Sequence, residues 1–439
     1  MTENAQSQPR QSQLKRLNHL IVNKIDTRKL WNSLALILGR FSSSGLGFLT
    51  WLITARLYAT AEVGIASGVI SAMMLCVQLA LLGLNSAFVA LYPKHRQQPS
   101  TLLNTMVNIV SLAALLAAFL FLLLSSVMFH ELSVVSKSLI YILLFLGVTL
   151  FGTVNTFMDH VSIAIRRGDQ VLVRNVLFGV ITIVFVAVLP LVARRITSES
   201  IILAWMLAGF SACMIGSIQI FRAIPEYHYR LELDTNIGNR LVSVSLKNYL
   251  LTLAERAPNW ILPIIVTEML SPTDNAYWYT LWMMAWVIYI IPISVGQNLF
   301  ADVSHQPGSY RQALTHSIKT SLLLGTVAAA AMILLASFLL SLLGTGYASA
   351  GTLPLRILAL GVYPGIFIQA YYGICRGKNM LTEAILTGTV AGLAGVLAAS
   401  LVGLRFGLVG MAVAWLITQC LVGSWALIRL GILSRQKDD

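Results

Sequence analysis

The chain has few charged residues. Asp, Glu, Lys and Arg together make up only 11% of its 439 residues, whereas hydrophobic residues make up 57% and the mean hydropathy is +0.78. A soluble domain keeps a polar exterior and cannot cover this much apolar surface. The composition therefore excludes a soluble protein and predicts a polytopic membrane protein.

Residues of the kinds that build catalytic and metal centres are also scarce. The seven histidines are scattered and show neither a zinc-ligand spacing nor a triad arrangement. The stretch GICRGKN, from Gly373, lacks the spacing and the Ser or Thr of a phosphate-binding loop. Each cysteine lies in an apolar run and is interpreted as a small packing residue. The cysteines are Cys76, Cys213, Cys375 and Cys420. These gaps argue against an enzyme and predict no catalytic residue, no metal site and no cofactor-binding residue.

Long apolar runs, by contrast, are abundant. A membrane-spanning helix needs roughly 20 mainly apolar residues, and the runs do not alternate in hydrophobicity as barrel strands do. The sequence therefore predicts an all-α polytopic membrane protein with twelve transmembrane helices. The predicted spans are 31–56, 64–91, 101–128, 134–158, 171–193, 199–222, 246–269, 276–301, 311–343, 350–375, 380–405 and 407–432.

The predicted spans fall into two sets of six, with the longest internal loop between them. An N-terminal bundle is predicted over 31–222, an inter-bundle linker over 223–245 and a C-terminal bundle over 246–433, followed by a short tail over 434–439. The basic tail over 1–30 is predicted to carry an amphipathic helix that lies on the anionic membrane surface. An ordinary basic flank that enforces topology is the alternative.

Lys and Arg are distributed unevenly between the two sides of the predicted bundles. Of the 30 Lys and Arg residues, 22 fall in the tails and loops on one side and five in the loops on the other. Basic residues concentrate on the cytoplasmic side of membrane proteins. This bias predicts a multi-pass protein of the bacterial cytoplasmic membrane with both termini in the cytoplasm. It also accounts for the net charge of +13 without nucleic acid as a partner.

Three weak internal matches occur in the same order in the two halves, at offsets of 212, 213 and 209 residues. Each half has an even number of spans, so both halves share one orientation. The two bundles should therefore be related by a pseudo-twofold axis along the membrane normal, with a cavity between them suited to alternating access. The matches are ARLYATAEVGI from Ala55 with TEMLSPTDNAY from Thr267, GLN from Gly83 with GQN from Gly296, and RRGDQVLVRNVLFG from Arg166 with CRGKNMLTEAILTG from Cys375.

Two of these segments carry a family resemblance. ITARLYATAEVGIASGVISAMM, with an acidic residue two positions before a glycine in an outer turn, resembles the first hairpin of polysaccharide flippases. These proteins form the lipid-linked oligosaccharide branch of the multidrug/oligosaccharidyl-lipid/polysaccharide (MOP) exporter superfamily. The R-G-D/K loops that open the fifth and eleventh spans are also similar to that family. The first outer turn lacks the usual proline, which only the second half keeps, in SPTD at 271–274.

The resemblance implies a secondary transporter that flips a lipid-diphosphate-linked oligosaccharide or polysaccharide precursor across the inner membrane without hydrolysing ATP. Its expected partners are the lipid-linked glycan, membrane lipids and the glycan polymerase or glycosyltransferases of the same pathway. Coupling to protons, sodium or the membrane potential stays open. The alternatives are a multidrug and toxin cation antiporter of the same superfamily, which should have an acidic cavity, and a membrane glycosyltransferase or ligase, for which the outer loops are too short.

The seventh span carries two adjacent charges in the middle of the membrane. In LTLAERAPNWILPIIV, Glu255 and Arg256 are followed by Pro258 and Pro263. A charge at this depth is costly unless it has a partner or meets water. A proline that interrupts a helix is tolerated where the helix lines a cavity. The stretch is therefore interpreted as a cavity wall, with a structural ion pair as the alternative.

Two further arginines complete the predicted substrate site. Arg40, in LILGRFSSSG, lies near mid-membrane, and Arg356 lies closer to the outer surface. The hypothesis is that Arg40, Arg256 and Arg356 bind the diphosphate group, because arginine stays charged and binds phosphate oxygens in pairs. Glu255 is the predicted charge partner of Arg256 or the carrier of a coupling proton.

An aromatic cluster opens the eighth span. YWYTLWMMAWVIYI, from Tyr277, is interpreted as an aromatic belt at the outer membrane interface. Stacking against a sugar is the alternative interpretation.

Overall fold

The computed structural model describes residues 27–94, 99–192, 196–224, 227–232, 235–305 and 310–435. Within these ranges the chain is helical almost throughout and has no strand. Apart from a short 3-10 turn over Tyr92–Lys94, the helices are α1 Thr27–Leu57, α2 Thr60–Leu81, α3 Leu84–Leu91, α4 Pro99–Met128, α5 Val134–Lys137, α6 Leu139–Ala164, α7 Gly168–Val192, α8 Ser198–Ala223, α9 Thr235–Met269, α10 Pro272–His305, α11 Tyr310–Leu343, α12 Thr345–Ala359, α13 Val362–Gly377 and α14 Leu381–Arg435.

The helices account for twelve membrane passes, as predicted. Over the described residues, nine are long and apolar enough to cross a membrane, and α12 and α13, bent by 43°, form a tenth pass together. The 55-residue helix α14 contains two passes, because Gly407 (φ 59°, ψ −153°) leaves the helical region in its middle. The 35-residue helix α9 supplies the last pass, although its charged residues lower its hydropathy.

The helix ends differ from the predicted boundaries at three places. The second pass is interrupted at Leu82 and Gly83, which both adopt left-handed backbone conformations. The tenth pass is interrupted by Leu360 and Gly361, between α12 and α13. Helix α9 begins at Thr235, inside the predicted linker, and the described linker residues 227–232 contact α4 through side chains such as Asn104. Most of both predicted tails, including the proposed amphipathic helix, lies outside the described residues.

The same helix packing recurs in the two bundles. In the N-terminal bundle α1 packs against α7, and α2 packs against α4 and α6. In the C-terminal bundle α9 packs against the first pass of α14, and α10 packs against α11 and α13. Each contact of the first bundle thus has its counterpart six passes later, as the predicted internal repeat requires.

The register of the third internal match is 213 residues rather than the 209 read from the sequence. Arg166 and Asn379 each turn the chain with a φ of 59°. The helices that follow begin at Gly168 and Leu381. Gly377 ends a helix instead of starting one, so it is not equivalent to Gly168. With this correction all three matches lie at one offset, to within a residue.

Two charged residues join the bundles at the end of the molecule opposite the start of α1 and the end of α14, here called the distal end. Arg56, at the end of α1, donates to the carbonyl oxygens of Ser341 (3.1 Å) and Leu342 (2.8 Å) at the end of α11. Glu268, at the end of α9, accepts hydrogen bonds from three backbone N–H groups before α5, those of residues 130 (2.7 Å), 131 (3.2 Å) and 132 (2.7 Å). Arg56 and Glu268 with these partners form the distal clasp.

Close backbone packing seals the bundles beside the distal clasp. A Cβ atom on Gly64 would lie 1.6 Å from the carbonyl oxygen of Pro272, so only glycine fits at this crossing of α2 and α10. The amide of Asn275 donates to the Gly64 carbonyl oxygen (2.9 Å) and to the Ser67 hydroxyl (3.0 Å). The distal end is therefore closed by polar contacts and by packing together.

The bundles part toward the opposite, proximal end on one side only. Near the distal end, the rings of Trp51 on α1 and Tyr279 on α10 lie 4.7 Å apart. Farther along α1, residues 43–45 are exposed, and a Cβ atom on Gly45 would have no neighbour within 4 Å. On the other side α2 and α9 remain in contact. The Tyr249 hydroxyl of α9 donates to the carbonyl oxygens of residues 78 and 79 of α2, at 3.2 Å from each. Over the described residues, α1 and α10 make few contacts apart from this ring pair, and the gap between them is here called the cleft.

Candidate functional site

Two connected cavities lie along α9 and α10. The first, the C-bundle cavity, has a volume of about 860 Å³ and lies between α9, α10, α13 and the second pass of α14. The second, the central cavity, has a volume of about 780 Å³ and reaches Ser71 and Met74 of α2, so it lies between the bundles. Both are lined by Arg256, Trp282 and Trp286. The predicted cavity between the two halves is therefore present and extends into the C-terminal bundle.

Arg256 lies where the two cavities meet, and its side chain is exposed. Helix α9 stays helical through Pro258 and Pro263, so the prolines do not break it. Pro258 leaves the carbonyl of Ala254 without its usual donor, and Gly392 of α14 packs closely at this point. The interpretation of this stretch as a cavity wall agrees with the position of Arg256, whereas a break in the helix does not occur.

Glu255 is paired with an arginine from a different helix. Its Oε2 atom accepts a hydrogen bond from Nη2 of Arg376, at the end of α13, at 3.0 Å. Both side chains are largely buried, with 14% and 15% exposed, and both line the C-bundle cavity. The Oε1 atom of Glu255 is buried and has no hydrogen-bond partner among the described residues. One cavity thus contains two guanidinium groups and one carboxylate.

Arg376 was missed by reasoning from the sequence. It lies in CRGKN, beside a lysine and close to a chain reversal, so it resembles an ordinary loop charge. Adjacency likewise favoured Arg256 as the partner of Glu255, although neighbouring helical residues point about 100° apart. Only the packing of α13 against the interior of the bundle brings Arg376 to Glu255, and no local pattern encodes that contact.

The other two predicted arginines are not part of this cluster. Arg356 is exposed on α12 and donates from Nε to the carbonyl oxygen of Ile333 on α11 (3.1 Å). It is absent from the lining of the two cavities. The backbone of Arg40 belongs to α1, but its side chain lies outside the described residues. The structure therefore joins Glu255, Arg256 and Arg376, and the role predicted for Arg40 stays a prediction.

The interpretation of the aromatic cluster as an interface belt is wrong. Trp278, Trp282 and Trp286 follow one another at intervals of four residues, so they lie on one face of α10. That face points into the bundle: Trp278 is 0% and Trp282 5% exposed. Trp282 donates from Nε1 to Oδ1 of Asn259 on α9 (3.1 Å), and Trp286 lines both cavities.

A separate cavity of about 1050 Å³ lies inside the N-terminal bundle. Its lining includes Asp159, which is paired with Arg174 (2.8 Å), a side chain that is 0% exposed. Arg174 also donates to the Ser162 hydroxyl (3.0 Å). The two charges therefore lie inside the bundle and tie α6 to α7.

The sequence profile of the family described as "Polysaccharide biosynthesis protein" matches residues 30–300. No curated protein sequence matches the chain significantly.

Solved structures share the fold over nearly the whole chain. A multidrug resistance MATE family transporter of the MOP superfamily, in an inward-facing conformation, is 11% identical with a TM-score of 0.69, and the match covers 92% of this chain and 99% of that one. Lipid II flippase MurJ, in an inward closed conformation, is 14% identical with a TM-score of 0.70, covering 91% and 87%. A MOP superfamily transporter from Pyrococcus furiosus, described as having a binding pocket of reverse polarity, is 12% identical with a TM-score of 0.62, covering 93% and 96%.

Proposed function

Because this chain belongs to the polysaccharide biosynthesis protein family, we propose that it flips a lipid-diphosphate-linked glycan across the cytoplasmic membrane. Its fold is that of the membrane transporters of the MOP superfamily. The single observation that carries the proposal is the cluster of Arg256, Arg376 and Glu255 in cavities between and within the bundles. Two guanidinium groups beside one carboxylate leave a positive site for a phosphorylated head group.

Arginine suits this role for two physical reasons. Its planar group donates paired hydrogen bonds to phosphate oxygens, and it stays charged when partly dehydrated. Arg256 stands exposed at the junction of the cavities, whereas Arg376 is held by Glu255. A diphosphate that reaches Arg256 would compete with the Glu255 carboxylate for Arg376. Glu255 would then act as a counter-ion of the empty site that the substrate replaces.

The same cluster disfavours the cation antiporter. A cavity for organic cations should carry uncompensated acidic groups. Among the residues that line the two cavities, Glu255 supplies the one carboxylate, and Arg376 lies 3.0 Å from it. A cation would meet two positive groups there, so an anionic substrate fits better.

The geometry of the bundles suits alternating access with loading from the cytoplasm. The proximal end would face the cytoplasm, since 22 of the 30 Lys and Arg residues fall in its tails and loops. The distal clasp would then close the outer side while the cleft between α1 and α10 admits the head group. Release would require the clasp to open and the cleft to close, with protons, sodium or the membrane potential as candidate driving forces.

Transport by the purified protein in vesicles tests the proposal. Vesicles containing a lipid-diphosphate-linked oligosaccharide are scored for its movement between leaflets, with an imposed proton or sodium gradient in separate arms. Arg256→Gln and Arg376→Gln should each lower the rate by about 10-fold or more, since each removes a charged contact to phosphate. Arg405→Gln, an exposed arginine at the distal end, is the matched control and should transport normally.

Two results would contradict the proposal. One is normal glycolipid movement by both cavity variants when they insert at wild-type levels. The other is gradient-driven accumulation of organic cations with no movement of the glycolipid, which would favour the antiporter.

A further inference from the structure

We propose that the C-bundle cavity is a carbohydrate subsite, which holds the first sugar residues of the head group beyond the phosphates at Arg256. This inference rests on the proposed function and assigns the part of the substrate that each cavity receives. It is carried by the uncharged part of the cavity lining, which combines indole and phenol rings with side-chain amides.

The aromatic part of the lining comes from two helices. Trp286 and Tyr289 of α10 lie partly exposed, with ring centroids 6.3 Å apart, and Trp415 of α14 packs edge-on against Trp282 at 5.0 Å. A sugar ring presents a flat face of C–H groups, which packs well against a rigid ring. Aromatic side chains supply such a surface at little cost in conformational entropy.

The polar part of the lining is made of neutral amides. Gln297, Gln369 and Gln419 come from three different helices and make no side-chain hydrogen bond to another described residue. Each amide offers both a donor and an acceptor, which is the pattern that neighbouring hydroxyl groups of a sugar can satisfy. Together with Asn259 they surround the rings with uncharged hydrogen-bonding groups.

The position of the cavity relative to Arg256 matches the order of groups in a glycolipid. Arg256 and Asn259 line both cavities, so a phosphate at Arg256 has the C-bundle cavity directly beside it. The C-bundle cavity extends along α10 from Trp286 to Gln297. These residues are eleven positions apart, roughly 16 Å along the helix axis.

Other occupants fit this lining less well. An aromatic cage can hold an organic cation, but Arg256 and Arg376 in the same wall would repel it. A lipid tail in the cavity would cover the amides of Gln297, Gln369 and Gln419 without offering them hydrogen bonds. A neutral, polyhydroxylated ring satisfies the amides and the indole faces together.

Binding to the full-length protein in detergent tests the subsite. The probes are undecaprenyl diphosphate and the same lipid carrying glucose, galactose or N-acetylglucosamine as its first sugar, titrated by calorimetry. At least one sugar-bearing probe should bind wild type about 10-fold more tightly than the bare lipid. The double variant Trp286→Ala, Gln419→Ala should lose that difference and bind the bare lipid as wild type does.

Control variants separate this inference from the proposed function. Trp425→Phe, which changes a partly exposed tryptophan outside both cavities, should keep the sugar preference. Arg256→Gln should weaken all probes alike. If no sugar-bearing probe binds more tightly than the bare lipid, or if the double variant weakens all probes alike, the subsite is wrong while the phosphate site stands. If Arg256→Gln weakens none of them, the proposed function itself fails.

Discussion

Arg256 and Arg376 contribute to one cavity but are held in different ways. Arg256 is exposed at the junction of two cavities, whereas Arg376 lies largely buried against Glu255. Burying two charges costs several kcal/mol per ion, which a good geometry offsets only in part. Among the described residues, the Oε1 atom of Glu255 has no hydrogen-bond partner. Under the proposed function, the phosphate groups of the substrate would replace this carboxylate beside Arg376.

Removing one member of this pair should destabilise the protein. Glu255→Gln or Arg376→Gln should each cost about 2 kcal/mol, below the value for a fully sealed pair because both side chains keep some exposure. The double variant should recover part of the loss, giving a coupling of about 1 kcal/mol. Thermal unfolding in detergent measures all three variants.

The pair of Arg429 and Glu383 provides an internal control. These side chains also lie within hydrogen-bonding distance (2.6 Å) but are 32% and 29% exposed. Glu383→Gln should therefore cost less, about 0–1 kcal/mol. Strictly additive losses in the double variant of Glu255 and Arg376 would mean that this pair makes no net contribution.

For single residues, the sequence predicts the energetic cost of a charge in the membrane better than it predicts which residue that charge contacts. The expense of a charge in the membrane was enough to place Arg256 against water and protein, and its position in the structure agrees. The partner of Glu255 could not be found in the same way, because it lies 121 residues away at the end of another helix. The depth of a charge in the membrane follows from counting residues along the span. Its partner depends on tertiary packing.

Hydropathy predicts the number of helices but not where a helix is interrupted or which of its faces meets lipid. Apolar runs gave the correct number of passes, but they did not reveal the interruptions at Leu82–Gly83 and Leu360–Gly361. They also did not show which face of α10 meets lipid, so its tryptophans were placed at the membrane surface. A lipid-facing residue and an interior residue are equally apolar, and only the four-residue spacing of Trp278, Trp282 and Trp286 distinguishes one face from another.

The crossing of α2 and α10 requires a glycine at position 64. Gly64→Ala would bring a methyl group to within 1.6 Å of the Pro272 carbonyl oxygen, so the two helices would have to separate. We expect loss of the closed distal end and at least a 10-fold drop in transport. Gly431→Ala, on an exposed part of α14 where a Cβ atom would have no neighbour within 4 Å, is the control and should fold and transport normally.

A cysteine placed at Ser67, beside this crossing, would report the separation. It should be protected from a membrane-impermeant thiol reagent while the helices stay in contact, and it should react when they separate. Equal protection in the Gly64→Ala and Gly431→Ala proteins would show that the helices tolerate the methyl group without parting.

The whole molecule is held in one state by contacts between bundles that sequence reasoning did not anticipate. Glu268 had been counted only as part of a repeat match, yet its carboxylate caps three backbone N–H groups of the opposite bundle. Arg56 similarly caps carbonyl groups of α11. Charges at helix ends are favourable where they meet unpaired backbone groups. If the protein alternates between states as proposed, such contacts would bias that equilibrium rather than the stability of either bundle.

Weakening the distal clasp should shift that equilibrium toward an open distal end. Glu268→Gln removes the charge behind three hydrogen bonds, and the open population should rise about 10-fold. Spin labels at Met128 and Ser349, which are exposed near the distal end of different bundles, would report the change as a longer distance. Asp302→Asn, which removes an exposed carboxylate near the proximal end of α10, is the control and should leave the distance unchanged. An unchanged distance distribution in Glu268→Gln would mean that packing alone keeps the end shut.

The one-sided cleft has a consequence for what the protein must accommodate. Because α2 and α9 stay in contact through Tyr249 while α1 and α10 separate, the opening forms a seam along the molecule's flank. If the substrate is the proposed glycolipid, its long prenyl chain would stay outside that seam, dissolved among acyl chains, while only its polar end crosses. Anchors of quite different length should then be carried at comparable speeds, and the interior needs room for nothing but the hydrophilic portion.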